Sequence, residues 1–162
     1  MGCDFCGKSI EDVNSHLMET IYKHSYAVLA ISGDEANNIP CFTYTVGLIQ
    51  TIKHPDFIIA GLPPDIAKKI IKNIYNYIVN KNEIIEPDTE YTGFLPNNLP
   101  VVFKTCKKIA FDEYMYKTNW FNNEATCENA AYQIVWPDHN NLFPWDEGFN
   151  ERIIPLTVNL YN

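Results

Sequence analysis

The chain has 162 residues, of which 46% are hydrophobic and 14% aromatic, and it carries a formal net charge of −8. This length and composition suit one compact domain and exclude an intrinsically disordered protein. The negative charge repels phosphate backbones and anionic lipids, so we expect neither nucleic acid nor a membrane as a partner. Because the sequence has no signal-peptide pattern and no apolar run of about 18 residues, we predict a cytoplasmic protein.

The first predicted elements are a helix and a hairpin. Ser9 is suited to cap the helix, and in "IEDVNSHLMETIYKH" the residues Ile10, Val13, Leu17 and Ile21 recur at helical spacing. The segment "YAVLAIS" then predicts a strand, "GDEANNIP" a turn, and "CFTYTVGL" a second strand. Because the turn between them is short, the two strands should pair as a hairpin.

A central strand and a long helix are predicted next. "DFIIAGL" is a short continuous apolar run, which is typical of a strand that is covered on both faces. Pro64 then opens a helix that ends near Asn80. The apolar stripe of this helix should cover one face of the sheet and consists of Ile66, Ile70, Ile74 and Ile78.

The second half of the chain predicts shorter elements. Residues 83–100 are rich in proline, asparagine and acids, and they indicate a loop with one short edge strand. "VVFKTCKKIAF" predicts a strand, "DEYMYKTNWFNN" a short helix, and "AAYQIVW" a last strand that Pro137 ends. Beyond it, aromatic residues that need burial indicate an ordered loop.

Together these elements predict a single α+β domain over residues 1–162. Its sheet should be mainly antiparallel, with about five or six strands, and should pack against two main helices and a short third. Residues 1–8 form a cysteine-containing N-terminal segment, and residues 137–162 form a loop-rich C-terminal segment.

Cys3 and Cys6 have the spacing of half a zinc site. His16 and His24 lie about 12 Å apart along the axis of the predicted helix, so both cannot bind one ion. The candidate zinc ligands are therefore Cys3, Cys6 and one histidine, His24. Plain reduced thiols are the simpler interpretation, a redox pair fits the position poorly, and we predict no other cofactor.

His54 is the candidate catalytic residue. Pro55 disfavours helix at the preceding residue and holds His54 extended at the beginning of a strand. There an imidazole can act as a general acid or base, with Tyr44, Thr45 and Asp56 as hydrogen-bonding partners. A histidine that only bonds a loop carbonyl explains the residue equally well. The common phosphate, dinucleotide, esterase and metalloprotease motifs are absent, so the sequence leaves open whether the protein is an enzyme.

The alternation of side chains along "CFTYTVGL" separates two faces of this strand. The more apolar face should pack inward and consists of Phe42, Tyr44 and Val46. Thr45 and Gly47 should then face a cleft. We expect His54 to border the same cleft and Asp138 to reach it from the loop that follows the last strand.

Three motifs in a fixed order, "YTVGL", "HPDFIIAGLPP" and "QIVWPDHNNLFPWDEGF", resemble a family of bacterial proteins catalogued as domain of unknown function four-two-six-two. The resemblance extends over nearly the whole chain and implies a shared fold, with no established activity. Asp56 departs from the glutamate that is usual at its position, and Cys41 and His139 lie outside the pattern. The resemblance implies that motif positions are occupied by Tyr44, Thr45, Gly47, His54, Trp136, Asp138 and Trp145.

Two functions follow as hypotheses. The first is a binding or inhibitor module that contacts a protein or a small ligand through the YTVGL, HPD and WPD motifs, and the negative charge favours it. The second is an enzyme in which His54 acts as acid or base while Tyr44 and Asp138 bind the substrate. The sequence predicts no oligomeric state. The candidate ligand-binding residues are Tyr44, Thr45, Gly47, Asp56, Trp136, Asp138 and Trp145.

Overall fold

The computed structural model describes residues 7–162. The strands are β1 (Ala27–Ile31), β2 (Phe42–Val46), β3 (Asp56–Ala60), β4 (Glu90–Tyr91), β5 (Val101–Thr105) and β6 (Ala131–Val135). The α-helices are α1 (Ile10–His24), α2 (Leu48–Ile52), α3 (Pro64–Lys81), α4 (Ile109–Glu113) and α5 (Tyr116–Glu124). Short 3-10 helices lie at Glu35–Asn37, Pro96–Asn98 and Glu151–Leu156.

The strands named above form one sheet in the order β1-β2-β3-β6-β5-β4. β1 and β2 form the predicted antiparallel hairpin, and β3 lies inside the sheet, as its continuous apolar run predicts. β3 pairs in parallel with β6, so that Asp56 lies opposite Ala131, whereas the other pairings are antiparallel. The predicted α+β fold with a mainly antiparallel sheet is therefore confirmed, with one parallel pairing that the sequence pattern does not indicate.

Buried side chains pack on both faces of the sheet. On one face, Phe42, Tyr44 and Ile58 belong to an apolar cluster that includes residues of α1, α4 and α5. On the other face, Phe57, Ile59 and Phe103 belong to a cluster that includes residues of α3. The prediction that the Phe42, Tyr44 and Val46 face packs inward is confirmed, and the opposite face of β2 is buried as well.

The two main helices follow their predicted apolar patterns. The Asp12 N–H donates to Ser9 Oγ at 3.1 Å and so caps α1. The helix buries Val13, Leu17 and Ile21, but Ile10 in its first turn is 71% exposed. α3 begins at Pro64 and buries Ile70, Ile74 and Ile78, but Ile66 is 43% exposed. Residues four apart drift by about 40° per step around a helix, so the first member of such a series turns away from the core.

The shorter helices differ from the sequence pattern. α2 is not indicated by periodicity, because its five residues are too few to show one. The predicted short third helix is two helices, α4 and α5, and the predicted strand before it ends at Thr105. Among the described residues, no helix combines the length and the hydropathy that crossing a membrane requires.

The C-terminal segment is loop-rich, as predicted, and it packs onto the sheet. Leu160 is buried in the core. Gln133 on β6 holds the segment, because its side-chain oxygen accepts the Leu160 N–H at 2.9 Å and its side-chain nitrogen donates to the Val158 carbonyl. This end of the chain is therefore part of the folded domain.

Candidate functional site

The YTVGL and HPD motifs meet in a buried polar network between β2, α2 and β3. Thr45 Oγ1 donates to Asp56 Oδ1 at 2.7 Å and accepts the Phe57 N–H at 2.9 Å. The Leu48 N–H, at the beginning of α2, donates to the same Asp56 oxygen at 3.2 Å. Gly47 makes the turn into α2 with a φ of 105°, a conformation that L side chains rarely adopt. The network fixes the strand-turn-helix connection in place.

The prediction that Thr45 and Gly47 face an open cleft is wrong. Thr45 and Gly47 are both buried. A Cβ at Gly47 would lie 3.0 Å from Ile21 Cγ2, so any side chain there would require Ile21 to shift. The cause is that both faces of β2 are covered, so Thr45 is buried on the face opposite α1 and Gly47 lies against Ile21 of α1.

Asp56 has an uncompensated carboxylate oxygen. The residue is fully buried, and its Oδ2 has no hydrogen-bond partner in the part of the chain that the structure describes. Burial raises the pKa of Asp56 to about 7, although hydrogen bonds from the Thr45 hydroxyl and the Leu48 and Ile49 N–H groups oppose the shift. Near neutral pH this carboxyl therefore exists in both protonation states.

His54 ties the beginning of β3 to the loop after α3. The Ile85 N–H donates to His54 Nε2 at 3.0 Å, and Nδ1 lies 2.8 Å from the Pro55 carbonyl oxygen. An accepting Nε2 requires the neutral tautomer with the proton on Nδ1, so Nδ1 donates to Pro55. Burial lowers the pKa of His54, against the opposing effect of the Pro55 carbonyl. Both ring nitrogens are occupied, as in the simpler interpretation of this residue.

The structure does not bring His54, Tyr44 and Asp138 into one pocket. The His54 ring contacts Phe57, with ring centroids 5.2 Å apart, on the face of the sheet that α3 covers. Tyr44 lies on the opposite face, where its hydroxyl oxygen accepts the Lys117 N–H at 3.3 Å and burial raises its pKa to about 12. Tyr44 and the His54 ring therefore lie on opposite faces of the sheet.

The position of Asp138 follows from the parallel pairing of β3 and β6. Asp56 lies opposite Ala131, at the beginning of β6, and Asp138 comes after the end of that strand. At about 3.3 Å per residue β6 spans roughly 13 Å from its first residue to its last, so Asp138 lies beyond the opposite end of this strand from Asp56. The shared pocket that the enzyme hypothesis requires would have to span this distance.

The WPD motif orders the C-terminal segment. Asp138 Oδ1 accepts the N–H groups of Asn140 and Leu142, and its Oδ2 accepts that of Asn150 at 2.9 Å. Desolvation alone would raise the pKa of Asp138, but these backbone donors outweigh it and hold the pKa below its ordinary value. Trp136 Nε1 donates to the Ala60 carbonyl oxygen at 2.8 Å. Both motif residues are engaged by backbone groups.

Trp145 is the most exposed member of the predicted ligand-binding set, at 45%. Its ring stacks on Phe143 with centroids 5.1 Å apart, and the Lys104 ammonium lies 4.4 Å from its ring centroid. Lys104 is also paired with Asp88 at 2.6 Å. The chain's own lysine therefore occupies the face at which a cationic group would bind.

Open surface near His54 is formed by two adjoining pockets, which we call the His54 groove. His54 lies at the base of the first pocket, of about 310 Å³, whose remaining lining is Ile52, Ile78, Val79, Asn82, Glu83 and Ile84. The second pocket, of about 530 Å³, shares three of these residues and is lined by Asn82, Glu83, Ile84, Glu86, Thr89 and Tyr91. His54 lines this groove, but the groove is not the predicted cleft, because Thr45, Asp138 and the other predicted site residues do not line it.

Sequence reasoning missed the outer residues of the groove. Ile84 is 64% exposed and Val79 is 48% exposed, although large aliphatic side chains are usually buried. The signal for Ile84 is present in "NEIIEPDTEY", where two isoleucines stand in an acidic loop. Ile85 is the buried one of the pair, because its N–H is held by His54.

Of the three candidate zinc ligands, the structure describes one. His24 is exposed on the last turn of α1, whereas Cys3 and Cys6 lie outside the described residues. Within residues 7–162, no three side chains of histidine, cysteine, aspartate or glutamate are arranged to hold a metal ion. The zinc hypothesis stays a prediction.

Comparison with known proteins gives a family and no activity. No curated protein and no solved structure matches the chain. A family model described as domain of unknown function, DUF4262, matches residues 20–150. The matched range contains the YTVGL, HPD and WPD motifs and all the candidate site residues except Cys3 and Cys6. The chain therefore belongs to the DUF4262 family.

Proposed function

We propose that the protein is a binding module that contacts a protein partner through the His54 groove. The observation that carries the proposal is the pair of exposed aliphatic side chains, Val79 and Ile84, beside the two adjoining pockets. Exposed apolar groups that gather around a concave, polar-rimmed surface are typical of interaction sites. The net charge of −8 favours a partner of opposite charge.

In this proposal the motifs provide the framework of the module. The Thr45 and Asp56 network anchors α2, which carries Ile52 on one side of the groove. His54 anchors the loop that carries Ile84 on the other side. A groove whose walls are held in this way loses little conformational entropy when a partner binds. The HPD motif therefore supports the contact surface from below.

The enzyme hypothesis has less support than the binding module. A general base needs a free nitrogen within reach of the substrate, whereas both ring nitrogens of His54 bond to backbone groups. The substrate-binding roles of Tyr44 and Asp138 also require positions close to His54.

We propose that the protein is bacterial and cytoplasmic. The free thiols of Cys41, Cys106 and Cys127 suit the cytoplasm, because that compartment is reducing.

Site-specific photocrosslinking in cells that naturally make the protein tests the proposal. A photoreactive phenylalanine derivative at Val79 should give a discrete covalent adduct with another protein. The control is the same group at Tyr22 on α1, which is 91% exposed and therefore at least as accessible. We expect no adduct there. Equal labelling at both positions, or none at Val79, would contradict a binding role for the groove.

We also propose that, if the protein binds zinc, the ion is held by Cys3 and Cys6 with at most one of His16 and His24. Elemental analysis of protein purified without a metal-chelating tag should give close to one zinc per chain, because a structural site holds its ion firmly. The Cys3→Ser and Cys6→Ser double variant should lose the metal. A zinc content below about 0.2 per chain in the unmodified protein would end the hypothesis.

A further inference from the structure

Building on the proposed function, we infer that the His54 groove takes a cationic segment in which a lysine or arginine stands beside a large apolar side chain. The groove joins an apolar pocket to an acidic one, and both pockets share Asn82, Glu83 and Ile84. A segment that fills both must therefore change from apolar to positively charged within a few residues.

The apolar pocket lies between α2 and the C-terminal end of α3. Aliphatic side chains provide most of its lining, with His54 at its base. Ile52 and Ile78 are largely covered by the protein itself, whereas Val79 and Ile84 are exposed at the rim. Covering these two rim residues would remove apolar surface from water, which favours an apolar side chain as the occupant. The apolar members of the lining are Ile52, Ile78, Val79 and Ile84.

The adjoining pocket is acidic. The segment 82–91, "NEIIEPDTEY", contains four carboxylates and no basic residue. Asp88 is paired with Lys104, whereas Glu83, Glu86 and Glu90 form no ion pair within residues 7–162. Glu83 and Glu86 line the pocket, so their charge is available to a partner.

Tyr77 orients the carboxylate of Glu83, and Tyr91 fixes the loop backbone at Glu86. The Tyr77 hydroxyl donates to Glu83 Oε2 at 3.0 Å, and the Glu86 N–H donates to the Tyr91 hydroxyl oxygen at 2.9 Å. A carboxylate that is already oriented gives a stronger and more specific contact with a cation than a mobile one. Lys81 lies over the Tyr77 ring, 5.6 Å from its centroid, and offsets part of the local negative charge.

Lysine and arginine match both pockets at once. Their methylene stems cover apolar surface while the charged group stays at the carboxylates. The same carboxylates repel phosphate groups, so a nucleic acid or an anionic lipid surface does not fit. The occupant that the groove selects is therefore a basic, amphipathic segment of another protein.

Fluorescence anisotropy with two short labelled peptides tests the inference on the full-length protein. One peptide alternates lysine with leucine, and the other alternates glutamate with leucine. We expect the lysine peptide to bind and the glutamate peptide not to bind. The Glu83→Lys and Glu86→Lys double variant should weaken binding of the lysine peptide by at least about tenfold, because it replaces attraction with repulsion.

The matched control reverses two exposed acids on the opposite face of the sheet from α3. Glu113→Lys on α4 with Glu124→Lys on α5 changes the net charge by the same amount. We expect this variant to retain most of the affinity. Ile84→Ser should also weaken binding, whereas Ile154→Ser, at a residue that is 50% exposed, should leave it unchanged.

Each other outcome overturns the inference. If both double variants weaken binding equally, net charge rather than the groove attracts the peptide. If the unmodified protein fails to bind the lysine peptide, the groove does not select cations. A partner crosslinked at Val79 together with either of these outcomes would leave the proposed binding function standing and remove only the cationic partner class.

Discussion

Replacing Asp56 with asparagine is expected to remove a large part of the pH dependence of this protein's stability between about pH 4 and pH 7. The ordinary aspartate pKa of about 3.9 applies to the unfolded chain, whereas burial raises the pKa of Asp56 to about 7 in the folded protein. Between these values the folded state keeps a proton that the unfolded state has lost. The free energy of unfolding of the native protein should therefore fall as the pH rises through this window.

The expected size of this effect follows from the pKa difference. One pKa unit corresponds to about 1.4 kcal/mol, so a difference of about three units gives roughly 4 kcal/mol. An asparagine in place of Asp56 has no proton to lose, and its side-chain oxygen can still accept from Thr45 Oγ1 and the Leu48 N–H. Its amide group would lack an acceptor at the position of the unpartnered Oδ2, which costs a constant amount at every pH.

Urea unfolding at several pH values separates these contributions. The variant should be less stable than the native protein at pH 4, and the difference should shrink or reverse by pH 8. Asp138→Asn is the control of opposite sign, because the pKa of Asp138 is held below its ordinary value. Its stabilisation is present above the unfolded pKa and is lost as the pH falls. A constant stability difference between Asp56→Asn and the native protein across the range would show that burial does not raise the pKa of Asp56.

The elements that could be predicted from the sequence are those that depend on local pattern. The Ser9 cap, the buried face of α1, the first hairpin and the continuous apolar run of β3 each follow from residues within a short window. α3 is predictable for the same reason, with Ile66 misplaced by the drift of its stripe. In these cases a few neighbouring residues contain the physical cause of the structure.

The features that could not be predicted depend on residues distant in sequence. The alternation of polar and apolar residues along β2 is typical of a half-exposed strand. Thr45 is nevertheless a core residue, because a helix and a loop cover the face of the sheet on which it lies. The parallel pairing of β3 with β6 moves Asp138 to the far end of the sheet from His54. The sequence pattern therefore identifies these polar motifs but predicts that they form a surface. In the structure most of their side chains bond to backbone groups instead.

His54 is the clearest case of this difference, and it gives the second prediction. A residue that only lines a binding site could be replaced by alanine with little change in stability. The structure leads to the opposite expectation, because His54 is buried and accepts the Ile85 N–H from a loop 31 residues further along the chain. Phe57 and Tyr132 contact its ring, with centroids 5.2 and 5.9 Å away. Alanine would remove both the packing and the hydrogen bond.

We expect His54→Ala to lower the free energy of unfolding by about 3 kcal/mol, because it leaves a cavity beside two aromatic rings and an unpaired buried N–H group. His54→Phe keeps an aromatic ring without polar atoms, so it should recover the packing contribution and lose only the hydrogen bonds of the two ring nitrogens, about 1–3 kcal/mol. His139→Ala, at an exposed histidine, should change stability by less than about 0.5 kcal/mol. Urea denaturation of the three variants measures these differences. If His54→Ala unfolds at the same urea concentration as the native protein, the contact between His54 and Ile85 does not hold the loop, and the groove loses the support on which the proposed function depends.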